Sequence, residues 1–492
     1  MKKMTLKKLF GGICCAAMAM FAVSCAQGVE DETWTAGVSG VQLESPAADS
    51  FTYSIVTDAT GTEQVKIQWP IVVGAGGYLC SVWNVNDPAN PEVLVDNETI
   101  DGAALYFPLA EDSSYKISVQ TLGNAKLNNA AAAEATEYAM NTMIEGIPVP
   151  VTEDLGAFIS KYIADNADVL AAQRASDPNF EIAFDLEPGA TYQMAAVAEC
   201  DLQPTRIRGD RQNKPAVMLT NNAYFETAGG LKIKFINIDA SGLDKEKYGV
   251  ITLKQNPNLE LGKESSYHLT KPIRIEGCWV KEVLRGFYSH GPSANWAVYE
   301  FRMSDCIVQV NCKNNAAHKS FLYPYGGGKG QVLNIYLSNS TIYNVYDPAA
   351  MSSSAYFIQF GYQKGFAKAF GTANGIFSIQ NCTLNRMTPN KDFGNRVGYE
   401  GTSAFQNTIF YDTYNIHKVL SRGCTKVLGG NILFCPTKGV AGDDSKNGYG
   451  EVLDPGFTTE NLNKVLDFSQ PNGGVNFAPV AGVTAGDPRW LK

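Results

Sequence analysis

From Leu231 onward the chain repeats one eight-residue pattern: apolar, outward, apolar, polar, turn residue, small inward residue, outward, apolar. It reads LKIKFINI from Leu231, IRIEGCWV from Ile273, FRMSDCIV from Phe301, IYLSNSTI from Ile335, FSIQNCTL from Phe377, SAFQNTIF from Ser403 and, more loosely, KVLGGNIL from Lys426. Successive copies start 42, 28, 34, 42, 26 and 23 residues apart, so a constant core carries insertions of variable length. Period-two alternation within a copy predicts a short strand, a tight bend and a second strand, with the first, third, sixth and eighth positions inward. Copies stacked at the interstrand spacing of about 4.8 Å predict a solenoid of about seven or more coils. The sixth position is Ile236, Cys278, Cys306, Ser340, Cys382 and Thr408, and the bend carries Asp305, Asn339, Asn381 and Asn407. Asn and Asp tolerate the left-handed conformation and can bond along a stack, which predicts a polar ladder inside the bends.

Upstream the pattern changes. Val65, Ile67 and Trp69 alternate with polar neighbours, as do Tyr78, Cys80, Val82 and Tyr115, Ile117, Val119, with turns such as Asp87-Pro88 between them, which predicts a β-sandwich over 41–145. After Ile147-Pro148-Val149-Pro150, the residues Leu155, Phe158, Ile159, Tyr162 and Ile163 fall at helical spacing, with Thr152 to Leu155 as a capped start. One amphipathic helix is expected there, covering the first coil, whose open strands would otherwise invite pairing. At the N-terminus, Lys2, Lys3, Lys7 and Lys8 precede an apolar stretch from Leu9 to Val23, the layout of a secretory signal. The run Ala22-Val23-Ser24-Cys25 resembles a bacterial lipobox, which implies lipidation of Cys25 as the mature N-terminus. The acidic run Glu30-Asp31-Glu32 resembles the surface-export signal of some Gram-negative lipoproteins. No later apolar run approaches the length of a membrane span, so the lipid is the expected contact with the membrane. The expected organisation is a signal peptide (1–24), tether (25–40), sandwich (41–145), linker and capping helix (146–180), solenoid (181–438) and a C-terminal tail packing on it (439–492).

Composition agrees with an all-β chain of two or three domains: 46 Gly, 22 Pro and 23 Tyr against 4 His in 492 residues argue against helical bundles and His-rich metal clusters. Without Cys14, Cys15 and Cys25, eight cysteines remain, none in a CxxC pair, and several fall at the inward sixth position, where small buried thiols are the simplest reading. Charge is partitioned. Residues 25–145 hold 3 Lys+Arg against 17 Asp+Glu, whereas residues 227–438 hold 23 against 13. A basic body on an acidic stalk suits a polyanion, and for an exported lipoprotein an acidic polysaccharide is a better candidate than nucleic acid.

Trp69, with Leu109 six residues before Tyr115 in LAEDSSYKISVQTLG, resembles fibronectin type III domains, in which such a tyrosine bonds back across a corner. The repeats resemble right-handed parallel β-helices of the pectate-lyase type. In chain order, and in the ending AGDPRW (Ala485 to Trp490), the chain resembles surface lipoproteins of starch-utilisation-like glycan loci, an uncharacterised family. The resemblance implies that each repeat supplies the second and third strands of a coil. The first strands are then expected in 284–289, 320–325, 355–362, 396–401 and 418–422. It also implies sugar binding along that first sheet, with outer-membrane glycan-uptake proteins as partners. Basic side chains there would pair with uronate carboxylates and tyrosine faces with sugar rings. Arg285, Lys319, Tyr323, Tyr356, Lys364, Arg396 and Lys418 are the expected contacts.

Two other functions compete. A β-elimination lyase needs a Lys or Arg base and usually Ca²⁺ held by several carboxylates, but residues 306–426 contain only Asp347, Asp392, Glu400 and Asp412. Hydrolysis is disfavoured, because the nearest match to its Gly-His-Gly motif is Ser289-His290-Gly291. A structural or adhesive spacer would need no basic surface. The expectation is therefore a binder rather than an enzyme, with no cofactor, and Ca²⁺ only in the lyase case. A second row of cations, Lys232, Arg274 and Arg302, occupies the outward second position and needs either Glu276 or a ligand to neutralise it; Glu276, being available, is the expected counter-charge.

Overall fold

The computed structural model describes residues 38–491 except 58–62, 111, 313–320, 347–355, 362–368, 373, 389–390, 398–399, 420–423 and 440. Cys25, Lys319 and Lys364 lie outside the described residues. The chain divides into two compact units, 1–144 and 145–492.

In the first unit, Thr52–Thr57, Glu63–Gln68 and Ala104–Pro108 form one antiparallel sheet. Glu92–Ile100, Tyr78–Asn84, Ser114–Thr121 and Thr136–Asn141 form the other. The alternating apolar residues of both sheets, Val65, Ile67, Trp69, Cys80, Val82, Ile117 and Val119 among them, meet in one core. Each buried aliphatic side chain contributes roughly 1.5–3 kcal/mol. Tyr115 carries the corner: its hydroxyl donates to the Ala110 carbonyl at 2.6 Å and accepts from the Ala110 N–H at 2.7 Å. This is a fibronectin type III-like sandwich.

The second unit is a parallel β-helix. Its second sheet stacks Ile182–Asp185, Thr205–Arg208, Leu231–Lys234, Ile273–Glu276, Trp296–Ser304, Gln331–Ser338, Ile376–Gln380, Thr402–Gln406 and Thr425–Gly429, all parallel. Each of the seven repeats supplies one strand here and the next strand to the third sheet. At the bends between them, Phe235, Gly277, Asp305, Asn339, Asn381, Asn407 and Gly430 all have positive φ. Asn381 donates through Nδ2 to Asn339 Oδ1 at 3.3 Å, forming the expected ladder. Phe235 is tolerated in this conformation beside Gly277, where an added Cβ would lie 2.5 Å from the Phe235 ring.

The sixth position forms a second ladder. Cys278, Cys306 and Cys382 are fully buried, and the eight described cysteines are all free thiols. Each polar side chain here donates to the carbonyl two residues earlier: Cys306 Sγ to Ser304 (3.1 Å), Ser340 Oγ to Ser338 (2.7 Å), Cys382 Sγ to Gln380 (3.2 Å) and Thr408 Oγ1 to Gln406 (3.0 Å). The hydroxyl of the next coil then accepts from the backbone of the one before, Ser340 from Cys306 N and Thr408 from Cys382 N.

Two coils precede the first repeat within the expected 181–438, at 182–194 and 205–219, and their bends of five and seven residues break the eight-residue pattern. Other details differ from expectation. The amphipathic segment makes two helices, Leu155–Asp165 and Ala167–Ser176, and the N-cap is Asp154, which accepts from Ala157 N at 2.9 Å. Leu155, Ile159 and Ile163 enter the core, while Gly156 approaches so closely that a Cβ would lie 2.0 Å from the Ala196 carbonyl. Among the described residues the first sheet ends in Gly394–Asn395, just before the expected 396–401; Lys418 ends the 3-10 turn Ile416–Lys418, and residues 420–422 of the expected 418–422 lie outside the described residues.

The C-terminal segment covers part of the third sheet. Leu462, Leu466, Phe477 and Trp490 pack on Ile307, Tyr343, Ile409 and Tyr411. In the AGDPRW ending, Trp490 Nε1 donates to Thr341 Oγ1 at 2.7 Å, Thr341 donates to Asp487 Oδ2 at 2.8 Å, and Arg489 Nη2 donates to the Asp305 carbonyl at 3.0 Å. The ending therefore ties an outward third-sheet residue, Thr341, to the bend at Asp305.

Candidate functional site

Among the described residues the first sheet stacks seven short strands, from Ala198–Glu199 to Gly394–Asn395. Phe225, Ile251, Tyr288, Leu322 and Ile358 stand in register and enter the core. Alternation therefore turns their neighbours Glu226, Thr252, Ser289, Tyr323 and Gln359 to the opposite face. A ladder of Phe287, Phe321, Phe357 and Phe393, with centroids 4.7–5.3 Å apart, fixes the turn that enters this sheet.

Part of this face is covered. Ser289 Oγ donates to the Lys247 carbonyl at 2.6 Å, and Asp244 Oδ1 pairs with Arg285 Nε at 2.5 Å, so the segment 244–248 crosses the middle coils. Tyr323 is consequently only 4% exposed, and burial pushes its hydroxyl pKa up to about 12. Its ring stacks on half-buried Tyr325 at 5.5 Å and 9°, so Tyr323 supports that ring rather than presenting a free face of its own. The Arg396 guanidinium stands 5.7 Å from the Tyr325 centroid, and its Nη1 donates to the Gly361 carbonyl at 3.2 Å. Arg396 is exposed.

A second group forms where third-sheet strands turn into the first sheet. Arg285 and Tyr356 line one small cavity together with Arg386, and Lys391 Nζ lies 5.0 Å from the Tyr356 centroid. Of the expected contacts, the structure thus brings Arg285 near Tyr356 and Tyr323 near Arg396, the latter through Tyr325. Lys418 closes the 3-10 turn Ile416–Lys418.

At the N-terminal end of the same sheet, Lys254 Nζ sits 3.4 Å from Glu199, 3.4 Å from Asp201 and 3.9 Å from Glu226. Burial alone would lower the Lys254 pKa, but the three carboxylates outweigh it and raise it, which keeps the ammonium charged. Among the described residues no group of three or more His, Cys, Asp or Glu side chains is arranged to hold a metal ion.

The second-sheet cations are internally neutralised, and not by Glu276. Arg206, Lys232, Arg274 and Arg302 stand in register on adjacent strands. Glu181 pairs with Arg206 and with Lys232 (3.1 Å), and Glu300 pairs with Arg274 (3.0 Å) and Arg302 (3.2 Å). Glu276 instead takes Lys234, two positions along, at 3.0 Å.

Residues 1–189 match the model of a family described as a domain of unknown function, DUF4992, and residues 190–345 match a second, domain of unknown function DUF4957. No curated protein matches the chain. Among solved structures it is similar to an Fn3-like protein from Clostridium thermocellum, at 18% identity over 21% of this chain and 99% of that one, with a TM-score of 0.14. It is also similar to the pectate lyase Pel3 from Pectobacterium carotovorum, at 10% identity over 78% of this chain and 79% of that one, with a TM-score of 0.13. The strand pairing described above, rather than these likenesses, defines the fold.

Arg386 and Lys391 were not among the expected contacts. Arg386 lies beyond its repeat, in a strand whose register shifts between Asn385 and Thr388, and its φ is positive. Such a bulge re-aims a side chain and leaves no mark in a period-two pattern. His290 is fully buried, with Nε2 2.9 Å from the Tyr288 hydroxyl, and burial lowers its pKa to about 3. The unfolded chain therefore takes up a proton below about pH 6.5 that the folded chain refuses. Stability of this unit should fall as pH drops from about 6.5 to about 3, by on the order of 3 kcal/mol at about pH 4. Melting temperatures of His290→Gln, which keeps a partner for Tyr288, should be flatter over that window; an unchanged slope would contradict the assignment.

Proposed function

We propose that the protein is a lipoprotein of the outer-membrane surface, anchored through Cys25, that binds acidic, pectin-like polysaccharide for glycan uptake. Its partners are then the polysaccharide and the uptake proteins of a starch-utilisation-like locus, with no role for nucleic acid. The observation that carries this reading is where positive charge is left over. In the early coils cations face carboxylates, as in Arg206–Glu181, Arg274–Glu300 and Arg285–Asp244. Residues 306–438 hold twelve Lys and Arg against four Asp and Glu, and this part of the chain carries Tyr325 with Arg396 and Tyr356 with Lys391. Aromatic faces beside guanidinium and ammonium groups suit uronate rings.

Exposed ion pairs are individually weak and screened by salt, so several must act together. Replacing Lys319, Lys364 and Arg396 together by Gln should weaken binding to galacturonan roughly ten- to hundredfold and leave binding to a neutral glucan nearly unchanged. Equal loss on both polymers would remove the charge argument. For the anchor, Cys25→Ser should release the protein from the membrane fraction; retention at high salt would place the anchor elsewhere.

A further inference from the structure

Arg396 is exposed, yet the fold holds it in place in three ways. Its φ is 56°, a left-handed conformation that a long side chain adopts only at a cost in backbone strain. Its guanidinium stands 5.7 Å from the centroid of Tyr325, whose ring is itself stacked on buried Tyr323 at 5.5 Å. Its Nη1 donates to the Gly361 carbonyl at 3.2 Å. Among the described residues no carboxylate pairs with it, including Glu246, whose charge is felt at the Tyr323 hydroxyl. Restraining an exposed arginine in this way gains no ion pair; what it fixes is the orientation of the guanidinium. With Nη1 spent on Gly361, the side-on edge made by Nε–H and Nη2–H is left to solvent, and that edge matches the two oxygens of a carboxylate.

The support under Arg396 is a glycine-rich loop, YGGGKG from Tyr325 to Gly330. Gly328 N and Gly330 N both donate to the Tyr325 carbonyl, at 3.0 and 3.1 Å, and Gly361 N donates to the Gly330 carbonyl at 2.9 Å. The loop and the next coil touch backbone to backbone: a Cβ on Gly361 would lie 2.4 Å from the Gly328 carbonyl carbon and 2.5 Å from the Tyr325 carbonyl oxygen. Tyr325, Gly361 and Arg396 are thus tied together across three coils. Lys329 is exposed on the same loop, its N–H donates to Asn295 Oδ1 at 2.9 Å, and among the described residues its ammonium pairs with no carboxylate.

We propose that Arg396 is a preset carboxylate fork: one uronate carboxylate of a bound chain lies across its Nε and Nη2 donors, Tyr325 and Gly361 are positioning residues that act through it, and Lys329 supplies a second cation for a neighbouring uronate. The inference rests on the acidic-glycan reading and adds a requirement to it. Binding should depend on the planar geometry of the guanidinium and not on charge alone.

The test is affinity electrophoresis of the purified protein on polygalacturonate, with melting temperatures recorded for every variant. Arg396→Lys keeps the charge and loses the fork, and should weaken binding about tenfold. Lys329→Gln should weaken it by roughly two- to threefold, as suits an exposed single charge. Tyr325→Leu should weaken binding about fivefold while Tyr325→Phe retains it, because the phenyl face keeps the stack. In the Arg396→Lys background Tyr325→Leu should add nothing further, a coupling that a merely structural role would not produce. If Arg396→Lys melts early, the contrast between Tyr325→Leu and Tyr325→Phe supplies the reading. Arg396→Lys binding as tightly as the unmodified protein, or equal binding by the two Tyr325 variants, would overturn the fork and leave the acidic-glycan reading standing. Additive losses would overturn the positioning role of Tyr325. If the unmodified protein does not bind polygalacturonate, the fork and the broader function both fall.

Discussion

Cys306→Asp is expected to abolish cooperative folding of the β-helix. The thiol is fully buried, burial raises its pKa well above the ordinary value, and its Sγ donates to the Ser304 carbonyl. A carboxylate in that place could not donate this bond and would face carbonyl oxygens on its own and the preceding coil, the Ile275 carbonyl being 3.8 Å from Sγ. Burying an uncompensated charge costs several kcal/mol, and protonating it to avoid that cost is itself unfavourable at neutral pH. Cys306→Ser is the control. Ser340 in the next coil and Thr408 three coils on occupy the same position and make the same bond, so the serine variant should lose only about 1 kcal/mol. A cooperative, near-native melt of Cys306→Asp would contradict the inward assignment of the repeat.

Glu181→Gln should cost about 3 kcal/mol or more, because Glu181 is the partner of both Arg206 and Lys232, whose side chains are 4% and 14% exposed. The amide keeps the shape and one acceptor but removes the charge, leaving two adjacent cations in the second-sheet row with less compensation. Arg206 and Arg208 also flank the early coil on which the capping helices sit, so loss should show as a lower melting temperature of the whole unit. By contrast, Lys161 and Asp165 on the first capping helix form an exposed pair, 74% and 56% exposed, and Asp165→Asn should leave the melt unchanged. Equal effects from the two substitutions would mean that burial does not govern these ion pairs.

The β-helix was legible in the sequence because its bend is short and chemically demanding. A two-residue bend with a left-handed first residue leaves Asn, Asp or Gly seven positions running except at Phe235, and a small sixth residue marks the stack. Where the bend lengthens, at 186–190 and 209–215, nothing periodic remains, so those two coils fall inside the expected 181–438 solenoid but match none of the seven repeats. First-sheet strands are only two residues long at Leu322–Tyr323, Ile358–Gln359 and Gly394–Asn395, too short for alternation to place reliably, which is why the last fell just before the expected segment. Register could be read, but the reach of a side chain could not. Glu276 was a neighbour of Arg274 in sequence, yet alternation by two puts it in the row of Lys234, and the carboxylates that neutralise the cations come from Glu181 and Glu300. The candidate face was legible as a set of basic and aromatic insertions; that Tyr323 would be covered by 244–248, and that a bulge would bring Arg386 beside Arg285, depend on backbone irregularity with no compositional signal.

The most direct test of the account is retention of the purified protein on immobilised polygalacturonate and on a neutral glucan across a salt series, with absorbance of unsaturated sugar products followed in the same samples. The account predicts retention on polygalacturonate that weakens as salt rises, little retention on the glucan, and no unsaturated product. Equal retention on both polymers, or none on either, would contradict it. Unsaturated product that disappears on mutation of a single Arg or Lys would replace the binder with a lyase.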